Sequence, residues 1–117
     1  MVRPAMGAET VERKVAALIR CAVRRYSVPG GAATALRIAR CESGEHLWPW
    51  AYSNGNAGVF QQRIAYWPGR ARAYLRASWF PVHYADVVDH GWFRARANVL
   101  VSIRMAHAGG WGPWSCA

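Results

Sequence analysis

Residues 35–44 read ALRIARCESG, and this stretch decides how the chain is organised. It predicts a helix from about Ala32 to Ser43 whose apolar residues are Leu36, Ile38 and Ala39. Gly44 follows directly, and glycine is common where helices end. Glu42 therefore lies in the last turn of the predicted helix, where the helix dipole disfavours a negative charge.

Three further helices are predicted around this one. The first runs from Thr10 to about Tyr26, because apolar residues recur there at helical spacing, namely Val11, Val15, Leu18, Ile19, Ala22 and Val23. The segment Ser27–Gly31 contains proline and glycine and stops this helix. Pro68-Gly69 is predicted to break the chain before a short helix from Arg70 to Ala77. The last helix covers residues 94–108.

The connecting segments are predicted to hold at most one small β element. Residues 45–58 have the composition of a loop, and Asn54-Gly55 marks a turn that suits the tip of a hairpin. Val59–Gln62 fits either a short strand or the start of a helix. Residues 79–91 are predicted to be irregular. The tail after Gly109-Gly110 is expected to pack back on the domain or to lie along a groove.

Length and composition indicate one mainly helical domain, with residues 1–9 as a flexible leader and residues 10–117 as the domain. The chain has 117 residues, of which 53% are hydrophobic, so it has enough apolar surface to fold. Fifteen basic residues stand against six acidic ones, giving a net charge of +9 that would attract polyanions such as nucleic acid, an anionic membrane or an anionic cell wall. We expect no signal peptide and no membrane span, because no apolar run is long enough.

The three cysteines, Cys21, Cys41 and Cys116, do not form a Cys-x-x-Cys pair, which argues against a zinc knuckle or a thioredoxin-type motif. An odd count allows one disulfide and one free thiol, or three reduced thiols. Glu42 and His46 are four residues apart, but Gly44 interrupts the helix between them. We therefore predict no metal site.

Glu42 stands out among the few acidic residues. Glu9 and Glu12 suit the first turn of the first helix, where the dipole favours negative charge, and the two aspartates, Asp86 and Asp89, are expected to be surface or capping residues. If apolar groups flank Glu42, its pKa rises. A carboxylic acid that stays protonated near neutral pH is what glycoside cleavage requires of a general acid. On this argument alone, however, a structural role for a helix-terminal glutamate is the commoner outcome.

The stretch at residues 35–44, followed by NAGVFQ at residues 56–61, resembles the lytic transglycosylases of the lysozyme superfamily. In that family a helix ends in Glu-Ser-Gly, and a loop then leads to a Gly-x-x-Gln-like segment. The cysteine before the glutamate, the Asn-Gly turn and the GGWGPWSC ending at residues 109–116 are more specifically similar to the resuscitation-promoting factors and related actinobacterial or phage cell-wall enzymes. The resemblance covers about residues 33–116 and implies a mainly α, α+β lysozyme-like fold.

The resemblance also implies roles for single residues. Glu42 matches the general acid and base that cleaves the β-1,4 bond between N-acetylmuramic acid and N-acetylglucosamine, as a lytic transglycosylase or a muramidase. Gln61 would shape the cleft and bond the sugar, and Ser43 would orient the glutamate or a sugar group. Gly58 would permit close backbone approach, and Asn98 would be structural. The paired cysteines of the family correspond to Cys41 and Cys116, and Cys21 has no counterpart.

The need for a second carboxylate separates the possible mechanisms. Only Glu45, Asp86 and Asp89 could supply one. The N-acetyl group of muramic acid can instead act as an internal nucleophile, so that one carboxylic acid suffices. This favours a transglycosylase over a hydrolase.

Five aromatic residues near Glu42 are candidate sugar-stacking residues: Trp48, Trp50, Tyr52, Tyr66 and Trp67. Any one of them could belong to the core instead. Tyr66 and Trp67 are the preferred candidates for the groove, because they follow Gln61 closely.

Two other functions compete with the enzyme. A basic nucleic-acid-binding module would explain the charge, but the chain shows no helix-turn-helix, zinc-finger or RNA-binding signature. A non-catalytic wall-binding domain on a lysozyme scaffold is the other alternative. The preferred prediction is a monomer that needs no cofactor, has peptidoglycan as its partner, and acts at the bacterial cell wall, delivered by a phage or excised from a secreted protein.

Overall fold

A computed structural model describes residues 7–75 and 94–117 of the chain. Four α-helices are found in this part: α1 (Ala8–Arg25), α2 (Gly31–Ser43), α3 (Trp67–Tyr74) and α4 (Ala95–Gly109). Three two-residue strands lie between α2 and α3: β1 (Tyr52–Ser53), β2 (Asn56–Ala57) and β3 (Gln62–Arg63). A short 3-10 turn at Ile64–Tyr66 leads from β3 into α3. The prediction of a mainly helical fold with a small β element is confirmed.

Helix α4 lies at the centre of the packing because it is apolar on two faces. One face joins α1 and α2 in the main core through residues such as Val99, Leu100 and Ile103. The other face packs on Trp67 of α3 through Ala97 and Val101. A helix that is buried on opposite sides needs few polar residues, and this explains why its middle reads NVLVSI.

Helices α1 and α2 meet through the apolar faces that the sequence pattern predicts. The buried positions of α1 include Val15, Leu18 and Ile19, and those of α2 include Ile38 and Ala39. The chain reverses between the helices through Gly30, whose φ of +79° is favourable only for glycine. A β-carbon at Gly30 would also collide with Thr34.

The predicted hairpin at Asn54-Gly55 is present. Strands β1 and β2 pair antiparallel with Ser53 opposite Asn56, and both turn residues adopt positive φ, as a tight hairpin turn requires. Strand β3 adds to the other edge of β2, which gives the strand order β1-β2-β3. The segment after Val59 therefore ends in a strand rather than in a helix start.

The tail packs back on the domain. Trp111 and Trp114 are buried against Phe60, with ring centroids 5.9 and 6.4 Å from that of Phe60. A disulfide joins Cys41 to Cys116, as the family resemblance implies, and Cys21 is a half-buried free thiol.

Two helix starts differ from the sequence prediction. Helix α1 begins at Ala8 instead of Thr10, so the helix includes Ala8 and Glu9. Pro68 lies in the first turn of α3 and starts that helix instead of breaking the chain, because the first turn needs no amide donor from it. The irregular segment predicted at residues 79–91 lies outside the described residues. Within those residues no helix is both long and apolar enough to cross a bilayer.

Candidate active site

The end of helix α2 opens into a cleft that holds Glu42. Gly44 ends the helix with φ +101°, and its N–H donates to the carbonyl of Arg40 at 2.9 Å. This stop leaves the Glu42 side chain half-buried at the helix terminus. The cleft has a volume of about 250 Å³ and lies between α2, the small sheet, the start of α3 and the tail.

Three of the predicted site residues line this cleft, namely Glu42, Gln61 and Tyr66. Sequence reasoning missed the other seven that line it, which are Asn56, Gln62, Arg63, Arg70, Pro113, Trp114 and Ser115. The cleft is thus built from segments far apart in sequence. Glu42 is the only acidic residue among the described residues that line it, and two arginines, Arg63 and Arg70, line the same cleft.

Burial raises the pKa of Glu42 above its ordinary value, because the partly desolvated site disfavours the charged carboxylate. The backbone N–H of Cys116 donates to Oε2 of Glu42 at 3.3 Å and offsets part of this rise. The direction of the shift agrees with the prediction from sequence. A carboxylic acid in this state can donate a proton to a bound ligand.

Gln61 has a constrained backbone and a side chain bonded to the loop. Its φ of +49° is unusual for a residue other than glycine. The side-chain Nε2 donates to the carbonyls of Ala51 and Gly58 at 2.9 and 3.1 Å. Both amide hydrogens are therefore used by the loop itself, so Gln61 shapes the cleft and can offer a bound ligand only its carbonyl oxygen Oε1.

Hydrogen bonds of neighbouring residues hold the loop that contains Gln61 in its conformation. Gly58 has φ +85°, and its N–H donates to Ala51 at 2.8 Å. Buried Asn98 of α4 accepts from the N–H of Phe60 at 2.8 Å and donates to the carbonyl of Ala57 at 3.0 Å. These bonds fix the cleft loop on the central helix, which is the structural role expected of Asn98.

The Ser43 side chain bonds within helix α2 and not to Glu42. It is buried, and its Oγ donates to the carbonyl of Ala39 at 2.8 Å, four residues earlier in α2. Its hydroxyl therefore stabilises the last turn of the helix and does not line the cleft.

The five aromatic candidates separate into core and surface residues. Trp67 packs against α4 and is 7% exposed, and Trp50 is 3% exposed. Both rings therefore belong to the core and not to the groove. Trp48 is half-buried beside Trp50, with ring centroids 4.9 Å apart. Tyr52 and Tyr66 are each 59% exposed, but only Tyr66 lines the cleft.

A series of hydrogen-bonded side chains connects the cleft to the core. Gln62 is 1% exposed, and its Nε2 donates to Oγ of Ser102 at 2.7 Å. Its Oε1 accepts from Nη1 of Arg70 at 2.9 Å. A signal for this support was present in the sequence, since Asn98 and Ser102 are polar residues four apart in the apolar middle of α4 and thus lie on one face.

No second carboxylate accompanies Glu42 among the described residues of the cleft. Glu45 is exposed and does not line it, and Asp86 and Asp89 lie outside the described residues. His46 is bonded elsewhere: its Nδ1 lies 2.9 Å from Oε1 of Glu12, and this hydrogen bond raises the pKa of His46.

Comparisons with known proteins find no match to this chain, neither among protein-family models nor among curated proteins nor among solved structures.

Proposed function

We propose that this chain is a lysozyme-like domain that cleaves the glycan strands of peptidoglycan, with Glu42 as general acid and base. The proposal rests mainly on the position and the raised pKa of Glu42. Glu42 is a half-buried carboxyl of raised pKa, and it is the one acidic group among the described residues of a cleft that also holds Gln61 and Tyr66. The family resemblance of the sequence around residues 35–61 supports the same assignment.

The cleft offers the groups that sugar recognition needs. Carbohydrates bind through hydrogen bonds to their hydroxyl and acetamido groups and through stacking on aromatic rings. Asn56 and the Gln61 carbonyl oxygen supply polar contacts, and the exposed ring of Tyr66 supplies a stacking surface. The tail residues Trp114 and Ser115 close the side of the cleft next to Glu42.

The proposed reaction starts with protonated Glu42. It donates its proton to the glycosidic oxygen between N-acetylmuramic acid and N-acetylglucosamine, and the bond from that oxygen to C1 breaks. The acetamido oxygen of the muramic acid forms a bond to C1 and holds the positive charge. Glu42, now a carboxylate, then takes the proton from the 6-hydroxyl of the muramic acid. As it does so, the 6-hydroxyl oxygen attacks C1 and displaces the acetamido oxygen. The product is a 1,6-anhydro sugar, and no second carboxylate is required.

This mechanism fits the charge of the site. A hydrolase of the retaining or inverting type would place a second carboxylate about 5–9.5 Å from the acid. Among the described residues, the cleft lining contains two arginines and no second acid. We therefore favour the lytic transglycosylase reaction over the muramidase reaction.

The test is release of soluble fragments from purified peptidoglycan by the parent protein and by two matched variants. Glu42→Gln removes the acid but keeps the size of the side chain, and we expect at least a 100-fold loss of activity. Glu45→Gln makes the same change three residues away on an exposed side chain outside the cleft lining, and we expect activity close to that of the parent. Fragment release that survives Glu42→Gln would contradict the proposal, and wall binding without release would favour a non-catalytic binding domain.

A further inference from the structure

We propose that Arg70, together with Arg63 in the same cleft, forms a carboxylate-binding subsite that selects glycan carrying a free carboxylate near the cleaved bond. The inference rests on the proposed function and adds to it the chemical group that the cleft recognises. Both arginines line the same cleft as Glu42.

Arg70 is held in place by neutral groups. Its Nη1 donates to Oε1 of Gln62 at 2.9 Å, and its guanidinium carbon lies 5.0 Å from the centre of the Tyr66 ring. Gln62 is itself fixed, because its Nε2 donates to Oγ of Ser102 at 2.7 Å in the buried core. The guanidinium is therefore pre-positioned, which reduces the entropy lost when a ligand binds to it.

The charge of Arg70 is not balanced by any carboxylate among the described residues. The ion pairs found there join Glu12 to Arg40 and to His46, none of which lines the cleft. A half-buried cation with only neutral partners is unfavourable until an anion reaches it. Arg63 adds a second positive charge at the cleft, while its Nη1 donates to the carbonyl of Asn54 at 3.1 Å.

A carboxylate is the group that best fits this arrangement. A guanidinium has five N–H donors in a planar fork, and Gln62 uses one Nη1 donor of Arg70, so donors remain for an anionic oxygen. The proposed substrate carries carboxylates in two places: on the lactyl group of muramic acid when no peptide is attached, and on the peptide stem when one is. A glycan of N-acetylglucosamine alone carries none.

The experiment measures binding of defined oligosaccharides by calorimetry in the Glu42→Gln background, which removes the proposed acid. The probes are neutral chitotetraose, a peptide-free tetrasaccharide of alternating N-acetylglucosamine and N-acetylmuramic acid, and the same tetrasaccharide with stem peptides whose carboxyl groups are free or amidated. Arg70→Gln and Arg70→Lys are compared with Arg72→Gln, a change of an exposed arginine on the same helix outside the cleft lining. Thermal melting of each variant checks that it is folded.

We expect Arg70→Gln to weaken binding of a carboxylate-bearing probe about tenfold or more and to leave chitotetraose binding within about twofold. Arg70→Lys should show an intermediate loss, because it keeps the charge without the fork, and Arg72→Gln should show none. A loss confined to the peptide-free tetrasaccharide identifies the lactyl carboxylate, and a loss confined to the probe with free stem carboxyl groups identifies the peptide.

Equal loss for neutral and charged probes, or no loss for any probe, would overturn the carboxylate subsite while leaving glycan binding intact. If the parent background binds none of the sugars, the proposed function fails and the subsite fails with it. If Arg70→Gln does not fold, Arg70→Lys and Arg63→Gln decide the question by the same comparison of neutral with charged probes.

Discussion

The backbone N–H of Cys116 donates to Oε2 of Glu42 at 3.3 Å, and the side chain of the same cysteine forms a disulfide with Cys41, the residue before Glu42. The tail is thus attached to the end of helix α2 twice, covalently through Cys41 and by a hydrogen bond to Glu42. Because Pro113, Trp114 and Ser115 line the cleft, this double attachment fixes one wall of the site against the end of helix α2.

The first prediction concerns stability as a function of pH. Burial raises the pKa of Glu42 in the folded state, so the folded protein holds this proton more tightly than the unfolded chain does. Stability from this group is complete below its unfolded pKa of about 4.5 and is lost as the pH rises through the raised folded pKa. Glu42→Gln should therefore melt like the parent at pH 4 and above the parent at pH 8. A melting temperature for Glu42→Gln below that of the parent at pH 8 would contradict this.

The second prediction concerns the disulfide. The bridge spans 75 residues, and chain-entropy estimates give a stabilisation of about 4 to 5 kcal/mol for a loop of that length. The double variant Cys41→Ser/Cys116→Ser should lose about this free energy of unfolding in urea denaturation. Cys21→Ser, which alters the half-buried free thiol, serves as the control and should change stability by about 1 kcal/mol or less. If the double variant lost no more free energy of unfolding than about 1 kcal/mol, as expected for Cys21→Ser, the bridge would contribute little to stability.

The third prediction concerns the attachment of the cleft loop to the core. Asn98→Ala leaves the buried N–H of Phe60 and the buried carbonyl of Ala57 without their partner. Each unsatisfied group costs about 1–3 kcal/mol, so for the two groups together we expect a loss of roughly 2–6 kcal/mol in urea denaturation. Activity under conditions where the variant is folded should also fall, since the same loop carries Gln61. A change below about 1 kcal/mol would mean that the loop finds other partners.

The fourth prediction compares two tyrosines of equal exposure. Tyr66 and Tyr52 are each 59% exposed, but only Tyr66 lines the cleft. Tyr66→Ala should weaken glycan binding by roughly tenfold, because an aromatic contact of this kind contributes about 1 kcal/mol or more. Tyr52→Ala should leave binding unchanged, and neither variant should alter the free energy of unfolding by more than about 0.5–1 kcal/mol. If Tyr66→Ala and Tyr52→Ala changed glycan binding to the same extent, the sugar would not bind in the cleft that Tyr66 lines.

Helical spacing in the sequence predicts α1 and α2 well because each of these helices buries a contiguous apolar face. The stop at Gly44 and the turn at Asn54-Gly55 follow from local backbone preferences, which act over a few residues. Pro68 was misjudged because proline has opposite effects at the first turn of a helix and in its interior, and only the position of the helix start distinguishes the two.

The candidate site was only partly predictable for a different reason. Glu42 and Gln61 could be found because their sequence neighbourhoods are distinctive. Arg70 and Gln62 could not, because their role depends on a contact between α3 and β3 that buries Gln62 against α4. The burial of Trp67 likewise depends on α4, thirty residues away in sequence. Local sequence patterns do not specify which segments meet at that distance.

The most direct measurement is mass spectrometry of the fragments released from purified peptidoglycan by the parent protein and by Glu42→Gln. Cleavage by Glu42 with the 6-hydroxyl as nucleophile predicts muropeptides that end in 1,6-anhydromuramic acid, each lighter by one water than the hydrolysis product, from the parent only. Reducing muramic acid ends from the parent only would keep Glu42 as the acid but make the protein a hydrolase. The absence of new glycan ends with the folded parent, or their equal release by Glu42→Gln, would contradict the central claim.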